Sequence, residues 1–376
     1  MSQASLFLRA FTDEVCRSLA NDYQDNYDVV RFGEHPSSPT PSRFSFRQLV
    51  RRYLKRRGYH HFLGVTYTFR TAMDFIAPWL DRLERLHSRL ADEESKTLLV
   101  KVWAFRALGH GKVKLPFNTP ELWRGIRGVE ALGSESDCLD SNFKGWKLVR
   151  LDLASLGFPV SLYSVPAGAY VQFVSEAYRC KLASGAIEAR VGDCVVDGGG
   201  CWGDTALYFA HKVGASGRVF TFEFTPTNLG IMRKNLALNP SLENRVEIVE
   251  RALWDRSGIS LDYTENGPGT KLAEDRKEAM ARTAVTISID DLVTEKRLPK
   301  IDFIKMDIEG AELAALKGAR QTLLRFKPRL AVCVYHHLED FFDIPDYLES
   351  LGLNYRLFLR HFSIHAEETV LFVTTE

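Results

Sequence analysis

Two textures of apolar and polar positions divide the chain, and the change falls near Val191. Before it, apolar residues recur at helical spacing. Phe46, Leu49, Val50, Tyr53 and Leu54 follow i, i+3, i+4, i+7, i+8, which marks one face of a helix. Met73, Ile76, Trp79, Leu80, Leu83 and Leu90 describe a second helix. Leu99, Val102 and Trp103 describe a third, which stops at Leu108-Gly109. A short helix is expected over residues 3–21, and the prolines between Pro36 and Ser42 predict an extended joint after it. Residues 1–145 are therefore expected to form a helical N-terminal extension, and residues 146–189 a transition segment of short strands and one helix.

From Val191 onward short apolar runs alternate with helical patterns. Strands are expected at Cys194–Asp197, Arg218–Glu223, Val246–Val249, Ala284–Ile289, Ile301–Met306 and Arg329–Tyr335. Between them, Ala206, Phe209, Ala210 and Val213 form a helix stopped by Gly214, and Thr225-Pro226 opens another as N-cap and first-turn proline. Helices are also expected over 309–325 and 339–351, and final strands near 354–360 and 369–374. Strand-helix alternation of this kind predicts an α/β domain over 190–376, with a mostly parallel sheet covered on both faces. The last two strands have no helix between them, so they are expected as an antiparallel pair at one end.

Composition adds bounds. The 376 residues are 45% hydrophobic, 11% aromatic and 26% charged, enough to fill a core without disulfides or metals. Forty-nine basic against 48 acidic residues leave a formal net charge of +1, so no nucleic-acid partner is expected. Residues 43–57 carry Arg43, Arg47, Arg51, Arg52, Lys55, Arg56 and Arg57 with no acid. An anionic-ligand surface would read this way, but with no aromatic platform the solvated face of an amphipathic helix is preferred. Cys16, Cys138, Cys180, Cys194, Cys201 and Cys333 form no CxxC pair, which fits a reduced, cytoplasmic setting. Arg9 and Asp13 interrupt the first apolar run, unlike a signal peptide, and no run is long enough to span a bilayer.

Two segments carry candidate chemistry. Gly198, Gly200 and Gly203 satisfy GxGxxG between the first strand and its helix, where backbone N–H groups can approach a ligand. Glu223 closes the second strand, where an acid can accept hydrogen bonds from ribose hydroxyls; a structural turn with an ordinary surface glutamate is the plain alternative. A pyrophosphate at the helix N-terminus is poorly served by Asp197 at the loop entrance. That carboxylate better suits a cationic group such as the amino group of S-adenosylmethionine (SAM), and this tilts the ligand from NAD toward SAM. The second segment runs Ile301 to Glu312. There Lys305, Asp307 and Glu309 fall at the carboxyl end of a buried strand, with Lys305 and Asp307 on one side of it. A structural Lys–Asp ion pair is the alternative. His336, ending the next strand, would stand near the same edge. Asp307, Glu309 and His336 are acceptable divalent-metal ligands, but nothing in their spacing demands an ion, and a metal-free site is expected.

With both segments in view, the chain resembles the FkbM family of SAM-dependent methyltransferases. The residues that carry the likeness are Val195 to Thr205, Phe222 to Pro226 with Asn235, and above all Asp302 to Glu312. It covers roughly residues 190–375. The resemblance implies a class I methyltransferase sheet, Rossmann-like, with an antiparallel final strand, and O-methylation of hydroxyls on sugars, polysaccharide precursors or polyketide-like metabolites. Carried over by position, Asp197, Gly199 and Gly203 would line the methionine end of SAM, with Gly198 and Thr205 in the same loop. Glu223 would bind the ribose, and Ala252 and Leu253 would flank the adenine. Cys201 and Trp202 depart from the small or amide residues common in the family after the second loop glycine.

The expected catalytic set is Lys305, Asp307 and His336, with Asp307 or His336 as base and Lys305 orienting a small-molecule or carbohydrate acceptor. An NAD-dependent oxidoreductase and a SAM-binding module without catalysis are the rival readings. The N-terminal helices are expected to serve the substrate side or a homo-oligomer contact.

Overall fold

A computed structural model of the chain describes residues 5–28, 62–183, 185–273 and 282–376. They divide into two compact units, one of 1–118 with 363–367 and the other of 119–362 with 368–376. The joint at 36–42 and the basic stretch 43–57 lie outside the described residues.

In the first unit the described helices are α1 (Leu6–Ser18), α2 (Phe62–Ile76), α3 (Leu80–Arg89) and α4 (Glu93–Leu108). Ser5 caps α1 by accepting from Leu8 N, and Asp92 caps α4 by accepting from Ser95 N at 2.8 Å. Gly109, at φ 81°, ends α4 as the sequence indicated. The single helix expected over 73–90 is two, because Pro78 lacks the N–H that would continue the ladder; a 3-10 turn at Ala77–Trp79 joins them. Phe7, Phe11, Val15, Leu83, Leu99, Val102 and Trp103 are fully buried in this unit.

The second unit begins at Thr119. Thr119 caps helix α5 (Pro120–Glu130), and Gly125 on that helix leaves room for the Tyr170 ring, 1.9 Å from where a Cβ would stand. Strands β1 (Gly133–Asp140), β2 (Lys147–Asp152) and β3 (Ser161–Ser164) follow as an antiparallel sheet. The outer edge of β3 is closed by side chains. Asn235 accepts from Tyr163 N at 2.7 Å and donates to Tyr163 O at 3.0 Å, while Asn239 does the same for Ser161 at 2.9 and 2.6 Å. Two asparagine amides thus stand in for a neighbouring strand. Trp202 is buried with Leu148 and Ile231, against Trp146 and Tyr163, so it packs beneath this sheet. A short hairpin, β4 (Cys180–Leu182) with β5 (Gly185–Ile187), leads into the main sheet.

That sheet holds β6 (Cys194–Gly198), β7 (Arg218–Phe222), β8 (Val246–Val249), β13 (Phe303–Met306), β14 (Arg329–Cys333), β15 (Arg356–His361) and β16 (Thr369–Thr374). Their spatial order is β15-β16-β14-β13-β6-β7-β8. Neighbours from β14 to β8 are parallel, and β16 is antiparallel to both β14 and β15, so only β16 runs against the rest. Strands β6, β13 and β14 are buried at every residue, as continuous apolar runs under two helical faces must be.

Two expectations shift. The strand near 284–289, β12 (Arg282–Ile287), joins a second sheet with β9 (Ala252–Leu253), β10 (Ser260–Tyr263) and β11 (Leu272–Ala273). The helix expected over 309–325 is two, Glu312–Lys317 and Arg320–Phe326. The break is at Gly318, whose carbonyl accepts from Asp290 N and where a Cβ would meet Trp254 O at 2.2 Å. No helix among the described residues is long and apolar enough to cross a membrane.

Replacing Asn235 by Ala leaves the part-buried Tyr163 N–H and C=O without these side-chain partners. Urea denaturation should show a loss of about 1–3 kcal/mol, and an unchanged midpoint would show that β3 does not depend on this amide.

Candidate active site

The chain leaves β6 toward β7 and β8 on one side, and returns through β13 toward β14 on the other. The carboxyl ends of β6 and β13 therefore flank the switch point where an open α/β sheet leaves a crevice. Register places Lys305 directly across from Asp197 at this seam. Both are buried, with Lys305 at 1% and Asp197 at 0% exposure, and they form an ion pair at 3.2 Å. Lys305 Nζ also donates to Gly198 O at 2.9 Å and Gly199 O at 2.8 Å, beneath the face of Tyr178 at 5.2 Å. Asp197 Oδ2 accepts from Thr205 Oγ1 at 2.8 Å and from Thr221 Oγ1 at 2.9 Å. One carboxylate thereby ties β6, β7, β13 and the helix α6 (Asp204–Val213). Burial alone would lower the Lys305 ammonium, but Asp197 and Asp307 hold it above its ordinary value.

The loop glycines answer to the protein's own packing. At Gly199, φ is 82° and a Cβ would stand 2.0 Å from Asp307 O; at Gly200 one would stand 2.0 Å from Thr221 Oγ1. Gly203, at φ 86°, opens α6. The loop and the end of β13 are in backbone contact, since Asp307 N donates to Gly198 O at 3.1 Å.

Asp307 begins the turn after β13. Its Oδ2 accepts from Tyr178 OH at 3.1 Å and its Oδ1 from Tyr335 OH at 3.0 Å. Burial would raise this carboxyl, yet His336 and Lys305 nearby, with the two tyrosine hydroxyls, hold it below the usual carboxylate range. The turn continues through Glu309 at φ 58° and Gly310 at φ 102°, and Glu312 pins it by accepting from Ile308 N at 2.7 Å and Gly310 N at 3.0 Å. His336 faces this turn from the end of β14. Its Nε2 lies 3.5 Å from Asp307 Oδ1 and 3.5 Å from Glu309 Oε1, and its Nδ1 lies 3.1 Å from Glu312 Oε1. Burial would lower the imidazole, but Glu309 and Glu312 beside it, with Asp307, push it up to about 11. Asp307, Glu312 and His336 bring ligand atoms within 4.8 Å of one another, so this is also where a metal could be held.

Glu223, just past β7, is 7% exposed. Its Oε1 accepts from Phe224 N and Thr225 N, both at 2.7 Å, and its Oε2 from Asn228 Nδ2 at 3.0 Å. Burial raises this carboxyl despite those bonds. A carboxylate offers about four acceptor positions, so one remains on Oε2. Leu253 reaches the loop, its Cδ1 2.9 Å from where a Gly198 Cβ would be, and Ala252 precedes it on β9.

The structure thus gathers Asp197, Gly198, Gly199, Gly203, Thr205, Lys305, Asp307 and His336 around one seam, with Glu223 at the end of the neighbouring strand. It places Lys305 inside the loop, where it holds two carbonyls, rather than outward toward an acceptor. Glu309 and Glu312 beside His336 favour its protonated form. Sequence reasoning missed Tyr178, Tyr335, Glu312 and Asp204. Tyr178 had no local signal. Tyr335 and Glu312 were in view, read only as a strand end and a motif end. Asp204 opens α6, and burial pushes its carboxyl up to about 6.

Residues 187–357 match the sequence model of the methyltransferase FkbM domain. This part of the chain is a methyltransferase domain of the FkbM family. A curated relative, the methyltransferase sdnD of Sordaria araneosa, is 28% identical over 155 residues, which is 33% of this chain. The match spans 59% of that relative's length. The crystal structure of an FkbM methyltransferase from Methylobacillus flagellatus KT superposes with a TM-score of 0.50 at 18% identity, covering 88% of this chain and 72% of that one. At that identity the likeness is one of fold.

Two outcomes follow from the geometry. Lys305→Met leaves Asp197 buried without its cation, so unfolding free energy should drop by about 3–5 kcal/mol. A variant as stable as the wild type in urea would contradict the pairing. The protonated His336 stabilises the folded state fully below its ordinary value near 6.5, and that contribution fades as pH climbs toward about 11. In chelator-treated protein, Tm should therefore fall more steeply between neutral and alkaline pH in the wild type than in His336→Gln. Parallel curves would show that the carboxylates do not hold the proton there.

Proposed function

We propose that the chain is a SAM-dependent O-methyltransferase acting on a hydroxyl of a sugar, polysaccharide precursor or polyketide-like metabolite. The observation that carries this reading is Asp307, an anionic carboxylate set at the carboxyl edge of the switch point by two tyrosine hydroxyls. The FkbM domain match supports methyl transfer as the reaction class.

The residues present fit SAM in part. Glu223 keeps one acceptor position for a ribose hydroxyl, and Leu253 offers an apolar surface beside the loop for an adenine. Asp197 does not fit the role of meeting a cationic ligand group, because it has no exposed surface and its oxygens are held by Lys305, Thr205 and Thr221. Its part is to support the loop from below. When bound, SAM supplies a methyl group already activated on a sulfonium.

The protein's remaining task is to present an oxygen in line with that methyl group, and such positioning contributes roughly 7–11 kcal/mol in well-oriented systems. Asp307 accepts the hydrogen of the acceptor hydroxyl and takes its proton as the oxygen gains the methyl group. Its lowered pKa makes it a weak base. That suffices for a reaction whose electrophile is activated, because the proton becomes acidic only as the bond forms. Lys305 is a positioning residue, fixing the loop through Gly198 O and Gly199 O.

Asp307→Asn preserves shape but not charge. Transfer of methyl-labelled SAM to acceptor should slow by roughly 10²-fold or more, while SAM affinity by calorimetry stays near that of the wild type. Normal turnover in this variant would remove Asp307 from the mechanism. Glu223→Ala should weaken SAM by about 1.5–3 kcal/mol, the scale of a charge-assisted hydrogen bond. Unchanged SAM binding, or stabilisation by NAD instead of SAM in the same thermal scan, would overturn the cofactor assignment.

A further inference from the structure

Tyr178 reaches the seam from the segment before the main sheet and touches both charged groups there. Its hydroxyl donates to Asp307 Oδ2 at 3.1 Å, and Lys305 Nζ stands 5.2 Å from the centre of its ring. Burial, with Asp307 beside it, pushes the phenol up, so it stays a donor. Tyr335, the donor to Oδ1, follows β14 and is placed by the sheet. Tyr178 is instead carried by a turn between Tyr170–Val174 and β4.

That turn is built against backbone preference. Tyr170–Val174 is a single π-helical turn, a form found frequently at functional sites. Phe173 on it packs edge-on against Tyr208 of α6, with ring centres 6.0 Å apart. Ser175 N and Ala177 N then donate back to Tyr170 O and Val171 O at 2.9 and 3.1 Å. Between them Glu176 takes φ 49°, a left-handed setting that a Cβ disfavours. Its own carboxylate supplies what holds it there. Oε1 accepts from Tyr208 OH at 3.2 Å and from Lys212 Nζ at 3.0 Å, two groups one helical turn apart on α6. Oε2 accepts from Arg179 Nη1. Glu188, just after β5, closes a ring of alternating charges, its Oε2 lying 2.7 Å from Lys212 Nζ and 3.1 Å from Arg179 Nε. Burial would raise the Glu176 carboxyl, but Arg179 and Lys212 hold it below its ordinary value. The Tyr178 turn is thereby tied to the helix that the glycine loop opens.

We infer that Glu176 is a positioning residue for the proposed methyl transfer: it holds the turn that carries Tyr178, and through the Tyr178 hydroxyl it sets the direction of the Asp307 carboxylate. The inference rests on the reading of Asp307 as the group that faces the acceptor oxygen. The terminal torsion of an aspartate is broad, so a hydroxyl on one oxygen leaves the carboxylate free to swing, whereas one on each oxygen fixes its plane. Tyr335 provides the first and Tyr178 the second. Glu176 and Tyr178 both precede residues 187–357, the stretch that matches the FkbM domain, so this support comes from the segment in front of that domain.

The test uses the full chain labelled with carboxyl-13C aspartate, at one fixed pH and without SAM or acceptor. The Asp307 signal is assigned by its loss in Asp307→Asn. Tyr178→Phe and Glu176→Gln should each move that signal in the same direction, and the double variant should move it no further than Tyr178→Phe does. With methyl-labelled SAM and acceptor, each single variant should lower kcat by about tenfold or more with little change in KM for SAM. The double variant should then be no slower than Tyr178→Phe, as expected of two residues acting in series. Glu188→Gln makes the same change of charge in the same ring but away from the turn. It should lower Tm while leaving the Asp307 signal and kcat as in the wild type. Should Glu176→Gln not fold by circular dichroism, Tyr208→Phe removes one donor to Glu176 and should move the signal in the same direction by less. An Asp307 signal unmoved by these variants, additive losses in the double variant, or an equal loss of rate in Glu188→Gln would overturn the inference. Because the signal is read without SAM, an unmoved signal would leave the methyl-transfer reading standing, and a failure of methyl transfer would leave the link from Glu176 to Asp307 standing.

Discussion

A single buried ion pair, Lys305 with Asp197, sets the geometry of everything at the edge of the main sheet. Two opposite charges leave water at this seam, and desolvating them is worthwhile only if every donor and acceptor is satisfied. The structure meets most of that condition, with Asp197 Oδ1 left to the 3.2 Å ion-pair contact alone. The ammonium has Asp197 and two loop carbonyls, and the carboxylate has the ammonium and two threonine hydroxyls. Because these partners belong to β6, β7, β13, α6 and the glycine loop, the pair fixes five pieces of chain at once. The close approach of Gly199 to the Asp307 carbonyl is the backbone counterpart of the same constraint.

From that constraint follows the separation of roles at the edge. Charge deep in the seam is balanced, so Lys305 and Asp197 act as structure. Charge one step outward is not. There Asp307, Glu309 and Glu312 gather around one imidazole, and the two tyrosines that hold Asp307 come from the segment before the sheet and from the end of β14. The excess of carboxylate explains the protonation of His336, and that imidazolium, with Lys305 and the two tyrosine hydroxyls, holds Asp307 below the usual carboxylate range.

How much of this was legible in the sequence depended on whether the deciding contact was local. The strand ends at Asp197, Glu223 and Asp307 came from alternation and punctuation, and the glycine loop from its spacing. Gly109 and Gly214 marked helix ends because a left-handed or extended glycine is itself a local requirement. The two broken helices show the limit. Pro78 was visible as a residue that cannot donate, whereas Gly318 breaks its helix because Trp254 and Asp290 crowd it from elsewhere. Register was illegible too. Alternation put Lys305 and Asp307 on one side of a strand, but only the pairing of β13 with β6 shows that Lys305 meets Asp197. Tyr178 lies 129 positions from Asp307, and no pattern in its own segment could have named it. Asn235 carried the family likeness, yet its work is to close the edge of a small sheet outside the likeness.

The proposed reaction places a methyl donor and its acceptor at the seam between β6 and β13, with Asp307 facing the reacting oxygen. A crystal structure with S-adenosylhomocysteine tests this most directly. The thioether sulfur should lie over the Gly198–Gly203 loop, facing the Asp307 carboxylate, with a ribose hydroxyl on Glu223. A nucleoside bound away from that loop, or an Asp307 carboxylate turned from the sulfur, would contradict it.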